Sequence, residues 1–168
     1  MALPRTLFAV AVVCVVSSDA AEWTEVTSAS SAQRWAAVTS SADGAKLVGL
    51  VNSGKPWKSV DSGATWTQST FTGTYTWYGA CSSAGGAIVY ITGNEDGDGR
   101  VFKSTDSGTS WSLVAGMANK NSRSITCSSD GLKIVILVSG AKPWTVRGCI
   151  SRAFLCQTLI HGRCLVAE

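Results

Sequence analysis

The feature that most constrains the fold of this chain is an internal repeat. The phrase SVDSGATW at residues 59–66 returns as STDSGTSW at residues 104–111, with serine, aspartate, glycine and tryptophan in the same register. The similarity extends over three longer copies, at residues 34–66, 76–111 and 123–144. A period in the range of about 40 to 50 residues is typical of propeller blades or solenoid turns, whose units pack on their neighbours.

Each copy divides into four short extended runs. The second runs, KLVGLV, AIVYIT and KIVILV, are β-branched and almost continuously apolar, so we expect them to be buried on both faces. No segment shows sustained helical periodicity. The first two runs are joined by dipeptides that accept the positive φ of tight hairpin turns, Asp43-Gly44, Gly85-Gly86 and Asp130-Gly131. We therefore predict an all-β fold, a β-propeller of four-stranded antiparallel blades with about three blades encoded.

The repeated phrase contains the motif S-x-D-x-G-x-x-W, which resembles the Asp-box, or BNR repeat, of sialidase-like propellers. The aspartate can accept backbone hydrogen bonds in a turn, the glycine can adopt a left-handed conformation, and the tryptophan can pack beneath the turn. In the family that the motif resembles, the box lies at the blade periphery, which implies a structural and not a catalytic role. The residues that match it are Ser59, Asp61, Gly63 and Trp66, then Ser104, Asp106, Gly108 and Trp111.

The resemblance leaves the function open, because that family includes sialidases, other glycoside hydrolases, sortilin-type receptors and photosystem II assembly factors. A sialidase-like site requires an arginine cluster, a tyrosine nucleophile and an acid, and the arginines here follow no motif that marks such a cluster. We therefore expect no catalytic residues, and a secreted non-enzymatic module that binds a protein or a glycan. The alternatives are a photosystem II assembly factor-like protein and a sialidase-like glycoside hydrolase fragment.

The number of blades leaves the assembly open. Residues 22–28, EWTEVTS, read as a fourth strand without its blade, and pairing with the third copy would close a ring of three blades. Ordinary propellers use four to eight blades. Either two chains combine as a homodimer with a six-bladed ring, or residues 22–146 belong to a longer repeat protein. A divergent tail that contains cysteines follows at 147–168.

Residues 1–21 are expected to direct the chain to the extracellular space. They combine an arginine, an apolar run from Leu7 to Val16 and small residues thereafter, the layout of a secretory signal peptide. This run is too short to span a bilayer, and we predict no membrane span. Delivery to a plastid or the thylakoid lumen is the alternative. The net charge is +3, and the basic residues are spread along the chain among glycine, serine and threonine. This pattern gives no support for a nucleic-acid partner.

One polar cluster indicates a candidate cation site. In NEDGDG, residues 94–99, the oxygen-bearing Asn94, Asp96 and Asp98 are followed by glycine, as at the opening of a calcium loop. The closing glutamate of such a loop is absent, because Thr105 occupies its position. Calcium is the one candidate cofactor that the sequence suggests. A solvated, glycine-rich hairpin explains the same residues equally well.

The cysteines suggest no obvious pairing. Cys81 and Cys127 lie in the first runs of adjacent copies, one position out of register, so pleat alternation predicts that they point to opposite faces and disfavours a bridge. In the tail, Cys156, His161 and Cys164 match no regular zinc spacing. Disulfides, or no native structure, are the alternatives there.

Aromatic residues recur at equivalent positions of the copies. A repeat copies its core before it copies a site, so we expect these residues to pack between sheets and not to line a sugar-binding face. Only Tyr75 and Tyr78, which have no counterparts in the other copies, break that pattern. The recurring residues are Trp35, Trp57, Trp77, Phe102 and Trp144.

Overall fold

The computed structural model describes residues 25–29, 33–95, 98–114 and 122–147. Eleven β-strands in these ranges form three antiparallel sheets. The first sheet contains β1 (Trp35–Ser40), β2 (Leu47–Val51), β3 (Trp57–Ser59) and β4 (Thr67–Gln68). The second contains β5 (Thr76–Ser82), β6 (Val89–Glu95), β7 (Asp98–Ser104) and β8 (Ser112–Leu113). The third contains β9 (Ser122–Cys127), β10 (Lys133–Val138) and β11 (Trp144–Arg147).

Each sheet is a meander in which consecutive strands pair. The hairpin turns between the first and second strands have the same backbone conformation in all three sheets, with φ of 71° at Gly44, 70° at Gly86 and 71° at Gly131. Only glycine adopts this region readily, which explains why the turn dipeptides recur in the sequence. The predicted all-β fold of antiparallel units is confirmed, with four strands in the first two sheets and three described strands in the third.

The three sheets pack face to face through their first strands. β5 lies between β1 and β9 and contacts both. The first hairpin turns are also connected, because the Ala42 N–H donates to the Ala84 carbonyl at 2.8 Å and the Ala84 N–H donates to the Ser129 carbonyl at 2.7 Å. These three residues hold the same repeat position, so one regular step relates each sheet to the next.

An aromatic cluster fills the space between the first and second sheets. Val48 and Leu50 of β2 and Val89 and Ile91 of β6 are buried in it. Its ring centroids lie 4.9 to 6.2 Å apart, mostly edge to face, an arrangement worth about 0.5–1.5 kcal/mol per pair beyond the area buried. The rings belong to Phe71, Tyr75, Trp77 and Phe102.

A second apolar cluster joins the second and third sheets. Tyr90 and Val101 pack with Ile134 and Ile136 of β10, and the Tyr90 hydroxyl donates to the carbonyl of Gly131 at 3.0 Å. Burial, together with the nearby cysteines of this cluster, raises the pKa of Tyr90 to about 12. The phenol therefore stays a neutral hydrogen-bond donor that holds the two sheets together.

β10 differs from the other second strands. Every residue of β2 is buried, but in β10 Ile136 is 0% exposed and its neighbour Leu137 is 49% exposed. One face of β10 packs on the second sheet, and the described residues leave much of the other face open. The prediction of burial on both faces is therefore wrong for β10. The predicted packing of Trp144 is also wrong, because this side chain is 41% exposed.

Residues 25–29 lie against the outer face of the first sheet. Ala29 is buried with Leu47, and the Ser28 hydroxyl donates to the Ala64 carbonyl at 2.8 Å. Leu47 faces away from the second sheet, because its neighbour Val48 packs on that sheet. Closure of a three-bladed ring would require this segment to pair with the third sheet. Within the described ranges, it is not part of that sheet.

Cys81 and Cys127 face each other between the second and third sheets. Both lie in the apolar cluster that joins these sheets, and their thiols are within hydrogen-bonding reach. The predicted opposite faces are observed, but the expectation that this keeps the two thiols apart is wrong. The offset of one position does place them on opposite faces, but β5 and β9 belong to neighbouring sheets, so those two faces meet.

Several predicted features fall outside the described residues. Residues 1–24, with the predicted signal peptide, and residues 148–168 are among them, and the second range contains Cys149, Cys156, His161 and Cys164. In the ranges that the structure describes, no helix has the length and apolar character needed to cross a membrane.

Adjacent residues of β10 test its one-sided burial. Replacing Ile136 by alanine should lower the free energy of unfolding by about 2–5 kcal/mol, because it leaves a cavity between two sheets. Replacing the half-exposed Leu137 by alanine should cost less than about 1 kcal/mol. Urea unfolding monitored by tryptophan fluorescence measures both, and equal losses would contradict the assignment of faces.

Candidate functional site

The first strand of each sheet contains a β-bulge at the same repeat position. Pairing with the second strand skips Ala36 in β1, Tyr78 in β5 and Arg123 in β9. A bulge bends the strand and redirects the side chain of the extra residue. The three residues stand where the first strands begin, and we call this end of the sheets the bulge end.

Two of the bulged side chains form a cation–π pair between neighbouring sheets. The Arg123 guanidinium carbon lies 5.1 Å from the centroid of the Tyr78 ring. Arg123 is exposed and Tyr78 is partly buried, so the ring supports one face of the guanidinium. A guanidinium stacked in this way keeps its in-plane N–H donors available for a carboxylate.

The loop between β2 and β3 is fixed to the start of β5 at the bulge end. The side-chain oxygen of Asn52 accepts the Trp77 N–H at 3.1 Å, and the Trp77 indole N–H donates to the Gly54 carbonyl at 2.9 Å. The Ser53 N–H donates to the Tyr75 carbonyl at 3.0 Å. These contacts join the loop of the first sheet to the strand that carries Tyr78.

Acidic residues at this end have partners of their own. The buried Tyr75 hydroxyl donates to the Glu95 carboxylate. Burial raises the pKa of Tyr75 most, and this hydrogen bond raises it further. Asp98 and Arg100 form an ion pair with a separation of 4.0 Å between Oδ2 and Nη2. Tyr75 therefore belongs to the core, whereas Tyr78 is the partly exposed tyrosine of the pair that the sequence sets apart.

The described residues of the predicted calcium loop lie in the paired strands β6 and β7. Asn94 pairs with Gly99 and Glu95 pairs with Asp98. Residues directly opposite share a face and successive residues alternate, so Asn94 and Asp98 lie on opposite faces. Asp96 lies outside the described residues, and among those described no group of three His, Cys, Asp or Glu side chains could hold a metal ion. Calcium binding stays a prediction.

The first repeated phrase, residues 59–66, forms a closed turn that we call the first DSG turn. The Ser59 hydroxyl donates to Asp61 at 2.7 Å and accepts the Gly63 N–H at 2.9 Å. Asp61 accepts the Thr65 N–H at 2.9 Å, and the Trp66 indole N–H donates to the Gly63 carbonyl at 3.0 Å. Asp61 thus accepts a backbone N–H of the turn, as the phrase predicts, whereas the hydrogen bonds of Gly63 and Trp66 were not predicted.

The second DSG turn, residues 104–111, repeats this network. The Ser104 hydroxyl donates to Asp106 at 2.7 Å and accepts the Gly108 N–H at 2.8 Å. Asp106 accepts the Ser110 N–H at 2.9 Å, and the Trp111 indole donates to the Gly108 carbonyl at 3.2 Å. Two turns with the same four hydrogen bonds indicate that the phrase is repeated for its conformation.

Both DSG turns lie at the end of the sheets opposite the bulge end. The Ser62 N–H donates to the Ala45 carbonyl at 3.0 Å, and the Ser107 N–H donates to the Ala87 carbonyl at 3.1 Å. Each DSG turn is thereby attached to the first hairpin turn of its own sheet. Asp61 and Asp106 are engaged in these turns, and the exposed arginine at the bulge end lies a strand length away.

Hydrogen bonds hold both aspartates in the charged state. The Thr65 hydroxyl and N–H, then Ser59, lower the pKa of Asp61 to about 2. Partial burial raises the pKa of Asp106, but hydrogen bonds from Ser110 and Ser104 outweigh it and bring the pKa to about 2. A carboxyl group with a pKa of about 2 is deprotonated at neutral pH and cannot donate a proton there.

No protein-family model and no curated protein matches the sequence. Solved structures do match the fold. A structure titled "YCF48 bound to D1 peptide" has a TM-score of 0.56 and 16% identity, and the alignment covers 68% of this chain and 38% of that one. A GH74 xyloglucanase from Xanthomonas campestris has a TM-score of 0.58 and 14% identity, with 78% and 23% covered. The chain therefore spans less than half the length of either structure.

The three sheets are blades of a β-propeller. Their order, their packing through the first strands and their likeness to these two structures agree on the fold. Propeller blades repeat around a central channel, and ligand sites in proteins are concave, as at the mouths of barrels. The bulge end, where the innermost strands of all three blades begin, is therefore the candidate functional site.

The low pKa values predict how stability depends on pH. A carboxyl whose pKa is lower in the folded than in the unfolded chain stabilises the fold above its unfolded pKa, and this stabilisation is lost as pH falls through the folded pKa. The stabilisation that Asp61 and Asp106 provide should thus be lost as the pH falls from about 5 to about 2. Urea unfolding across this range should show a shallower pH dependence in the double variant Asp61→Asn, Asp106→Asn. An unchanged pH profile would contradict the assigned pKa values.

The glycine of the second DSG turn provides a test of blade packing. Gly108 has φ of 85°, and a Cβ there would lie 2.8 Å from Cγ2 of Val48 in the neighbouring blade. Gly108→Ala should therefore cost about 2–4 kcal/mol through backbone strain and crowding. Gly44 has φ of 71° with nothing within 4 Å, so the control Gly44→Ala should cost only about 1–2 kcal/mol. Thermal unfolding measures the difference, and equal losses would argue against the close approach.

Proposed function

We propose that this chain is a non-enzymatic binding module that holds an acidic peptide segment of a partner protein at the bulge end. The observation that carries this proposal is the stacked pair of Arg123 and Tyr78. A solvent-exposed arginine is usually mobile, but here the ring of the neighbouring blade supports it at 5.1 Å. Less side-chain entropy is lost on binding when the guanidinium is already oriented.

The charge distribution at the bulge end favours an anionic ligand. Arg34 is exposed beside the loop that follows β2, where its carbonyl accepts the Asn52 N–H at 2.9 Å. Lys142 is exposed in the loop between β10 and β11. The acidic residues Glu95 and Asp98 at this end are engaged by Tyr75 and Arg100. The exposed cations are the groups that attract and orient an acidic segment.

The likeness to a peptide-bound structure supports a peptide as the ligand class. The structure titled "YCF48 bound to D1 peptide" shares the fold of this chain at 16% identity. A photosystem II assembly factor-like role is the second candidate function, and it would require delivery to a plastid or the thylakoid lumen. We propose secretion as the main route, because residues 1–21 have the layout of a secretory signal.

A glycan ligand is the remaining candidate. The likeness to a GH74 xyloglucanase and the partly exposed ring of Tyr78 favour it, because sugars stack on aromatic faces. The same likeness keeps a glycoside hydrolase fragment among the alternatives. For the assembly, the half-open face of β10 with the exposed Leu137 favours a homodimer or further blades.

Binding of labelled peptides tests the proposal. We expect fluorescence anisotropy to detect binding of short acidic peptides, weaker at high salt, and no binding of basic peptides of the same length. Arg123→Ala should weaken binding about tenfold or more, because a charge-assisted hydrogen bond is lost. Lys133→Ala removes an equal charge from an exposed position at the start of β10, away from the bulge end, and should leave affinity unchanged.

Other probes distinguish the alternatives. Binding of the D1 peptide in preference to the short acidic peptides would favour the assembly-factor role, and import into plastids would support it. Binding of xyloglucan oligosaccharides or sialosides, with no peptide binding, would replace the peptide ligand by a glycan. Turnover of a fluorogenic sialoside or glucan by the purified chain would contradict a non-enzymatic module.

A further inference from the structure

Two cysteines meet across the boundary between the second and third blades. Cys81 lies in β5 opposite Tyr90, and Cys127 lies in β9 opposite Ile134. Both positions have regular antiparallel pairing, so the strands hold their side chains in defined directions. Because β5 and β9 pack directly on each other, the inner cysteine of one blade faces that of the next.

The thiols differ in exposure. Cys81 is 8% exposed, Cys127 is only partly buried, and neither forms a disulfide in this structure. The two sulfurs lie within hydrogen-bonding reach of each other in the apolar cluster between the blades. An oxidant from solvent can therefore reach Cys127 first, with Cys81 waiting behind it.

We propose that Cys81 and Cys127 form a disulfide that joins the second and third blades under oxidising conditions. The expected secretion of this chain would place it in such an environment, but the contact between the thiols does not depend on that route. The proposal is independent of the ligand at the bulge end.

The arrangement of the thiols suggests the order of the reaction. The hydrogen bond from the Cys81 thiol lowers the pKa of Cys127, and the same hydrogen bond together with burial raises the pKa of Cys81. Cys127 is therefore the better nucleophile, since the thiolate is the reactive form. Cys81 is the resolving thiol.

Glutathione disulfide supplies the oxidant. The Cys127 thiolate attacks one sulfur of glutathione disulfide, and the first glutathione leaves as a thiolate that takes up the proton lost by Cys127. The Cys81 sulfur then attacks the Cys127 sulfur and releases the second glutathione, which takes up the proton of Cys81. Two cysteine thiols are oxidised, and one glutathione disulfide is reduced to two glutathione thiols.

The bond would close a loop that contains most of the second blade. Such a loop restricts the unfolded chain, and a bond between thiols already in contact needs little backbone movement. We expect oxidation to raise the melting temperature by roughly 10 °C for a chain of this size. The oxidised second and third blades would then unfold together.

Peptide mapping of the full chain tests the proposal directly. The protein is incubated with glutathione disulfide, alkylated without reduction and digested with trypsin. The expected product is a cross-link between the tryptic peptides 59–100 and 124–133, which hold Cys81 and Cys127. This readout uses the natural sequence, so it does not depend on whether a variant folds.

A thermal measurement provides the matched control. The oxidised chain should lose its gain in melting temperature on reduction, and Cys127→Ser should show no difference between the two conditions. A variant with serine at Cys149, Cys156 and Cys164 keeps the pair and should behave like the natural chain. Recovery of both cysteines alkylated after oxidation, or cross-links only from Cys81 or Cys127 to tail cysteines, would overturn the proposal.

Discussion

The packing of the first strands on one another is the interaction on which the rest of this structure depends. β5 lies between β1 and β9, and its backbone approaches β9 closely, because a Cβ at Gly79 would lie 3.3 Å from the Ile125 nitrogen. The second sheet is thereby covered on both faces, and its buried strand β6 depends on both neighbouring sheets for its burial. A single sheet of this size could not bury such a strand by itself, so each blade depends on the next.

This packing separates the molecule into two ends with different tasks. At one end, the DSG turns and the first hairpin turns form hydrogen bonds within a blade and from blade to blade, as between Ala42 and Ala84. These hydrogen bonds occupy polar groups of the turns that a ligand would otherwise contact. At the other end, the bulges place Tyr78 and Arg123 from neighbouring blades against each other. The DSG turns and first hairpin turns therefore hold the blades in a regular arrangement. The residues at the bulge end can differ from one blade to the next.

The sequence predicts the repeating part of the fold better than the site. The 59–66 phrase and its copy specify strands and turns, because a turn needs particular residues at fixed positions. A bulge is an irregularity of pairing and leaves no composition signal, so the stack of Arg123 on Tyr78 was not predicted, although Tyr78 stands out as lacking a counterpart. The expected separation of the cysteines failed for another reason. Alternation gives the face of each residue, but only the order of the blades shows that Cys81 and Cys127 meet.

Residue-resolved amide hydrogen exchange tests most directly whether the blades stabilise each other. If each blade depends on its neighbour, the amides of β2 and β6 should open with the same free energy, equal to that of global unfolding. β10, with one face half-open, should exchange no more slowly than they do. Exchange of β2 at a clearly lower free energy, while β6 stays fully protected, would show that the first blade opens by itself and would contradict this account.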